Sequence, residues 1–151
     1  MGTHEISERF AERMGDRSVA HDIRTVGDFI GIYCAAHHRD RTRSQAITDA
    51  ARLGVYGDKA PVVCDECAQH LAYAEKRRAY CRKDPKPFCA HCDTHCYSPA
   101  ESAWQRQMMR FSGPRAVFHG HALDGLRHAV EAITYTKKAR KAAASGSTHE
   151  E

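Results

Sequence analysis

Six of the seven cysteines crowd into 33 residues: Cys64, Cys67, Cys81, Cys89, Cys92 and Cys96, with Cys34 standing upstream. The pattern is C-x2-C, thirteen residues, then C-x7-C-x2-C-x3-C. A two-residue gap lets neighbouring sulfurs chelate one ion, and thiolate metal sites are built from such knuckles. A disulfide framework is the rival, and the odd count argues against it. So does the start of the chain, which is polar and amphipathic over residues 1–30, with no apolar h-region and no small-residue cleavage site. Ile6 stands where an acylation signal would want Ser or Thr. No apolar run approaches the ~18 residues of a membrane span. The expectation is a cytoplasmic chain without membrane association, whose clustered cysteines are metal ligands.

Hydrophobic residues at 42% and charged residues at 28% allow a modest core. Residues 1–141 read as one metal-binding helical domain and 142–151, small and polar, as a disordered tail. The formal charge of +4 is mild, and bound thiolates would lower it, so charge alone does not make a nucleic-acid binder.

The periodicity is helical. Val19, Ile23, Val26, Ile30, Tyr33, Cys34 and His37 recur at three- and four-residue steps, one face of a helix from about Ser18. Gly27 and Gly31 weaken it and mark close packing rather than an end. Residues 39–60 are polar with two glycines and read as a surface excursion, with a short helix over 44–53. A helix is expected over 66–80, burying Leu71, Ala72 and Ala74. Pro85 and Pro87 keep 82–88 out of helix. Ser98, Pro99 and Glu101 form a capping box, followed by the stripe Trp104, Met108 and Phe111 and a stop at Gly113-Pro114. A last helix over 122–141 should bury Leu123, Leu126, Val130 and Ile133. The fold class is all-α, a small helical domain around an irregular cysteine-rich metal-binding centre.

Helix geometry prunes the ligand sets. Cys67 and Cys81, fourteen residues apart on one helix, are separated by roughly 21 Å and cannot share an ion. Cys81 then joins Cys89, Cys92 and Cys96 in a four-thiolate site. Cys64 and Cys67 take their partners from the first long helix, where Cys34 and His38 share a face. His37 is the alternative imidazole. A competing topology brings Cys89 and Cys92 to Cys64 and Cys67 as a C-x2-C-x21-C-x2-C ribbon, leaving Cys34, Cys81 and Cys96 unused. Three thiolates with one imidazole suit zinc, whereas cysteine-only ligation also suits an iron–sulfur cluster.

Lys76, Arg77, Arg78, Arg82, Lys83 and Lys86 form a basic run interleaved with aromatics, a surface that could track DNA or RNA phosphates. A solvated helix face explains such a run more simply. There is no H-E-x-x-H, P-loop, G-x-G-x-x-G or G-x-S-x-G, so no catalytic motif is present.

Four segments in order carry a resemblance: I-Y-C-A-A-H-H (32–38), C-D-E-C-A-Q-H-L-A-Y-A (64–74), K-P-F-C-A-H-C-D-T-H-C-Y-S-P (86–99) and R-Q-M-M-R-F-S-G-P-R (106–115). Together they are similar to the small bacterial family of nitrous oxide-stimulated promoter proteins. Residues 39–60 are longer than the connection expected there. The family name refers to induction by nitrogen oxides, not to action at promoters. The resemblance implies a cytoplasmic protein of nitrosative-stress physiology, with motif cysteines at Cys34, Cys64, Cys67, Cys81, Cys89, Cys92 and Cys96. Because nitric oxide attacks clusters as well as thiolates, this context puts iron–sulfur level with zinc. The expected function is a non-catalytic metalloprotein of the nitric oxide stress response. The alternatives are a metal-containing DNA- or RNA-binding regulator and a small metalloenzyme.

Overall fold

The computed structural model describes residues 4–82, 92 and 96–146. Six α-helices run in order: α1 (Glu8–Met14), α2 (Arg17–His37), α3 (Asp49–Arg52), α4 (Asp65–Ala79), α5 (Pro99–Ala116) and α6 (Ala122–Gly146). Two-residue strands β1 (Ser44–Gln45) and β2 (Val62–Val63) pair antiparallel, Ser44 opposite Val63. Among the described residues the all-α expectation holds, with this ribbon as the one exception. No helix is long and apolar enough to cross a membrane among the described residues.

Local chemistry fixes the helix starts. Asp16 accepts from the Ser18 and Val19 amides at 2.8 and 3.2 Å, and Ser98 accepts from the Glu101 amide at 3.3 Å. Each cap satisfies an otherwise orphaned donor. α2 is the central element, with α4, α5, α1 and β2 packed around it. Its buried residues Val19, Ile23, Ile30, Tyr33 and Cys34 form the stripe that periodicity predicts. Gly27 permits close packing, since a Cβ there would meet the Tyr56 ring at 2.8 Å.

That contact corrects the reading of 39–60 as a surface excursion. Ala46, Thr48, Ala50 and Tyr56 are buried in the core. The helix expected over 44–53 is reduced to α3, because Ser44 and Gln45 pair with β2 instead. Tyr56 Oη and Thr48 Oγ1 donate to Glu75 Oε1 at 2.7 and 2.8 Å. Glu75 is 1% exposed, and burial raises its pKa against these bonds. A polar segment is thus drawn inward by a carboxylate that has to be satisfied.

Two helix ends also differ from expectation. α5 passes through Gly113-Pro114 to Ala116, because Ser112 and Ala116 are buried on either side of the proline. Ser112 Oγ also donates to the Phe29 carbonyl at 2.7 Å. Tertiary packing here outweighs the proline's lost bond. α6 continues to Gly146, past the end expected at Lys141, and 147–151 lie outside the described residues.

The residues expected to be buried by α6 are not. Leu123, Leu126, Val130 and Ile133 are 55–81% exposed. An apolar stripe shows which face suits burial, not that the chain covers it. α6 is anchored through its first turn. His121 Nε2 meets Asp28 of α2 at 2.7 Å, its Nδ1 meets Asp124 at 3.1 Å, and His21 reaches Asp124 at 3.2 Å.

Burial opposes the charged form of His121, but the Asp28 and Asp124 carboxylates outweigh it and raise its pKa. The unfolded imidazole titrates near 6.5. The pairing therefore contributes fully below that pH and is lost as pH rises through the raised folded value. His121→Asn should lower stability by on the order of 1 kcal/mol at pH 6, about 3 °C in melting temperature, and by much less at pH 9. A pH-independent loss would mean that packing, not charge, holds this turn.

Candidate metal centre

The last turn of α2 faces the first turn of α4. Cys34 projects from α2, and His38 is its C-cap, with φ −122° and ψ 42°. Cys64 occupies the N-cap of α4 and Cys67 lies three residues on, so one helix start sets two sulfurs side by side. The donor atoms of Cys34, His38, Cys64 and Cys67 all lie within 4.8 Å of one another. His38 Nδ1 is 3.4 Å from Cys64 Sγ and 3.3 Å from Cys67 Sγ. Donors at Zn–S ~2.3 Å and Zn–N ~2.0 Å in a tetrahedron stand roughly 3.5–3.8 Å apart, so this set fits one ion of that kind. The three sulfurs are buried and none is in a disulfide.

The surroundings are arranged for negative sulfur. The Cys64 amide donates to Cys34 Sγ at 3.2 Å, and Arg41 Nη1 approaches Cys64 Sγ at 3.8 Å while pairing with Glu66. Burial pushes the Cys34 and Cys67 thiols up. Burial also acts against ionised Cys64, but the Cys67 amide and the Arg41 guanidinium prevail and lower it to about 6. Three thiolates around a divalent ion would leave one net negative charge, which Arg41, shared with Glu66, screens in part. Buried thiols that resist ionising alone become thiolates when a cation supplies the opposing charge.

The structure selects between the two candidate imidazoles. His37 turns away: its Nδ1 donates to the Tyr33 carbonyl at 3.2 Å and its ring stacks on Tyr33 at 4.2 Å. Tyr33 also meets His38 edge-on at 5.9 Å, packing the outer side of the centre. Cys34 and His38 stand beside Cys64 and Cys67, the grouping that the two-site reading expects. α4 runs from Asp65 to Ala79 between Cys67 and Cys81, as the two-site argument requires. Cys81 is half-buried just past α4, Cys92 is half-buried and Cys96 exposed. Cys89 lies outside the described residues.

Sequence reasoning missed Arg41, Glu66 and the packing role of Tyr33. Arg41 and Glu66 each stand within three residues of a ligand-type side chain, but only the fold brings Arg41 to the Cys64 sulfur with Glu66 paired to it. One residue of the basic run departs from an exposed face. Arg78 is 8% exposed and its Nε pairs with Asp22 at 2.6 Å, so it is a core ion pair rather than a phosphate contact. Lys76, Arg77 and Arg82 are exposed, whereas Lys83 and Lys86 lie outside the described residues.

Fold and site together define a small helical protein with a Cys3His cluster at a helix–helix junction that could hold one metal ion. The chain belongs to the nitrous oxide-stimulated promoter family, whose model matches residues 17–142. It is 32% identical over 95 residues to the uncharacterized protein YgbA of Escherichia coli (strain K12), across 60% of this chain and 80% of that protein. No solved structure shows a significant match.

Because binding at such a centre is also folding energy, Cys34→Ser should lose about one equivalent of bound metal relative to the wild type and lower the melting temperature by roughly 10 °C. A chelator should lower the melting temperature of the wild type by more than that of the variant, which has already lost this centre. Unchanged zinc content and melting temperature in Cys34→Ser would remove Cys34 from the centre.

Proposed function

We propose that this is a zinc–thiolate protein of the nitrosative-stress response, with its Cys34–His38–Cys64–Cys67 centre as the target of reactive nitrogen species. The observation that carries the reading is the convergence of four zinc-type donors within 4.8 Å. Zinc is favoured over an iron–sulfur cluster by two features. The set is three sulfurs and one imidazole, whereas clusters take four cysteines or, in Rieske centres, two of each. Ligands of a cluster also bind different irons, and so stand farther apart than donors around one ion. The family name supplies the link to nitrogen oxides. In the same reading, the protein is cytoplasmic and non-catalytic, and Cys81, Cys89, Cys92 and Cys96 make the second, four-thiolate site.

Reactivity follows from where the centre opens. Cys64 borders the Arg41–Glu66 pair, whose side chains are 43% and 49% exposed. Its sulfur can attack dinitrogen trioxide, formed from nitric oxide and oxygen. An S–N bond forms as the N–N bond breaks, and nitrite leaves. The S-nitrosated sulfur no longer carries the charge that holds a cation, so the junction loosens.

A nitric oxide donor in air should therefore release zinc to a chromogenic chelator, together with a fall in helix–helix stability. Cys64→Ser, already lacking that sulfur, should release less. Visible absorption and iron in protein purified without air, bleached by nitric oxide, would replace zinc by a cluster. The absence of both zinc release and bleaching would overturn the reading, and tight binding of duplex DNA at ~150 mM salt would then put the regulator in its place.

A further inference from the structure

The R-Q-M-M-R-F-S-G-P-R segment has no part in the metal centre, yet it builds the wall of a groove beside it. A cavity of about 680 Å³ is lined by Tyr33 and His37 of α2 and by Arg106, Arg110, Phe111 and Arg115 of α5. The three arginines are exposed. None of them forms an ion pair among the described residues: Arg106 donates to Ser102 Oγ at 3.3 Å and Arg115 to the Phe111 carbonyl at 2.7 Å. Arg106 and Arg110 are one turn apart, where like charges repel. Arg115 is laid over the Phe111 ring, 3.8 Å from its centroid, and His37 meets the same ring edge-on at 4.4 Å. Three guanidiniums thus share one concavity with no carboxylate among its described lining residues, a positive site that an anion would complete.

We propose that this groove binds a small organic phosphate carrying a flat ring, of the nucleoside diphosphate kind. A carboxylate would neutralise one guanidinium, whereas each phosphoryl group brings more than one charge and several acceptor oxygens in a geometry that arginine forks match. The volume exceeds that of a bare phosphate and falls in the range of small-molecule sites. The Tyr33–His37–Phe111 wall offers aromatic faces and edges for a ring. The surface is concave and only three arginines wide, which suits a compact ligand better than the extended backbone of a nucleic acid. Tyr33 and His37 line the groove while Tyr33 also packs on His38, so the ligand would sit one side chain from the centre.

The test is calorimetric titration of the full chain at about 150 mM salt with ADP, inorganic pyrophosphate, adenosine and a short DNA duplex. ADP and pyrophosphate should bind and adenosine should not. Arg110→Ala should weaken ADP roughly tenfold, with Arg110→Lys recovering part of the loss. Arg9→Ala, a cation remote from the groove, should bind like the wild type. Because Arg110 is exposed, the melting temperature of its variants should not change, and zinc content provides a second check that the centre is intact. No ADP or pyrophosphate binding at millimolar concentration would overturn the proposal. So would equal ADP affinity in Arg110→Ala and wild type, or binding of the duplex alone. None of these results bears on whether zinc is bound.

Discussion

The structure depends on one junction, where the C-terminal turn of α2 meets the N-terminal turn of α4 through four metal-type donors. Two helix ends are otherwise poor partners, since each presents unsatisfied backbone groups. Here the Cys64 amide is spent on Cys34 Sγ and the His38 amide on the Cys34 carbonyl, so the backbone at the junction is satisfied by the residues that bring the donors together. A cation would join segments thirty residues apart in sequence, closing a loop that includes β1, α3 and β2. Loop closure costs entropy that grows slowly with length, and a chelate offsets it at the one place where both helices converge.

The buried polar network around Glu75 serves the same loop from its other side. Tyr56 and Thr48 belong to the segment between the two knuckle halves, and both bond a carboxylate on α4. Tyr56 in turn needs Gly27 on α2, because a side chain there would strike its ring. The loop is therefore pinned at two places, to α2 through Tyr56 and to α4 through Glu75, and is closed on itself by the β1–β2 pairing. If the chelate opened, these pins would keep α2 and α4 neighbours, and the change would be confined to the residues around Cys64 and His38.

Much of this was legible in the sequence, and the failures share a cause. The α2 stripe, the Ser98 cap and the Cys34–His38 pairing with Cys64 and Cys67 follow from periodicity and spacing, which act within one helix or across one helix start. The 39–60 segment was misjudged because its polar residues are satisfied by Glu75, a partner that periodicity does not reveal. Pro114 was read as a stop because the burial of Ser112 and Ala116 is a tertiary fact. The α6 stripe was read as buried because amphipathicity names a face and says nothing of what covers it. His38 over His37 was likewise beyond spacing: both stand within reach of Cys34, and the choice is made by Tyr33, whose carbonyl and ring hold His37.

Tyr33 then links features that sequence keeps apart. Its ring touches His37, His38, Trp104 and Phe111, with centroids 4.2–6.0 Å away. It is 6% exposed, so it cannot move without displacing neighbours, and cores of this density pass a shift on rather than absorb it. His38 and the α2–α5 interface thus share one packed aromatic side chain. The long α2 helix carries both, with the ligand-type residues Cys34 and His38 on one face of its last turns and Tyr33 and His37 on the next.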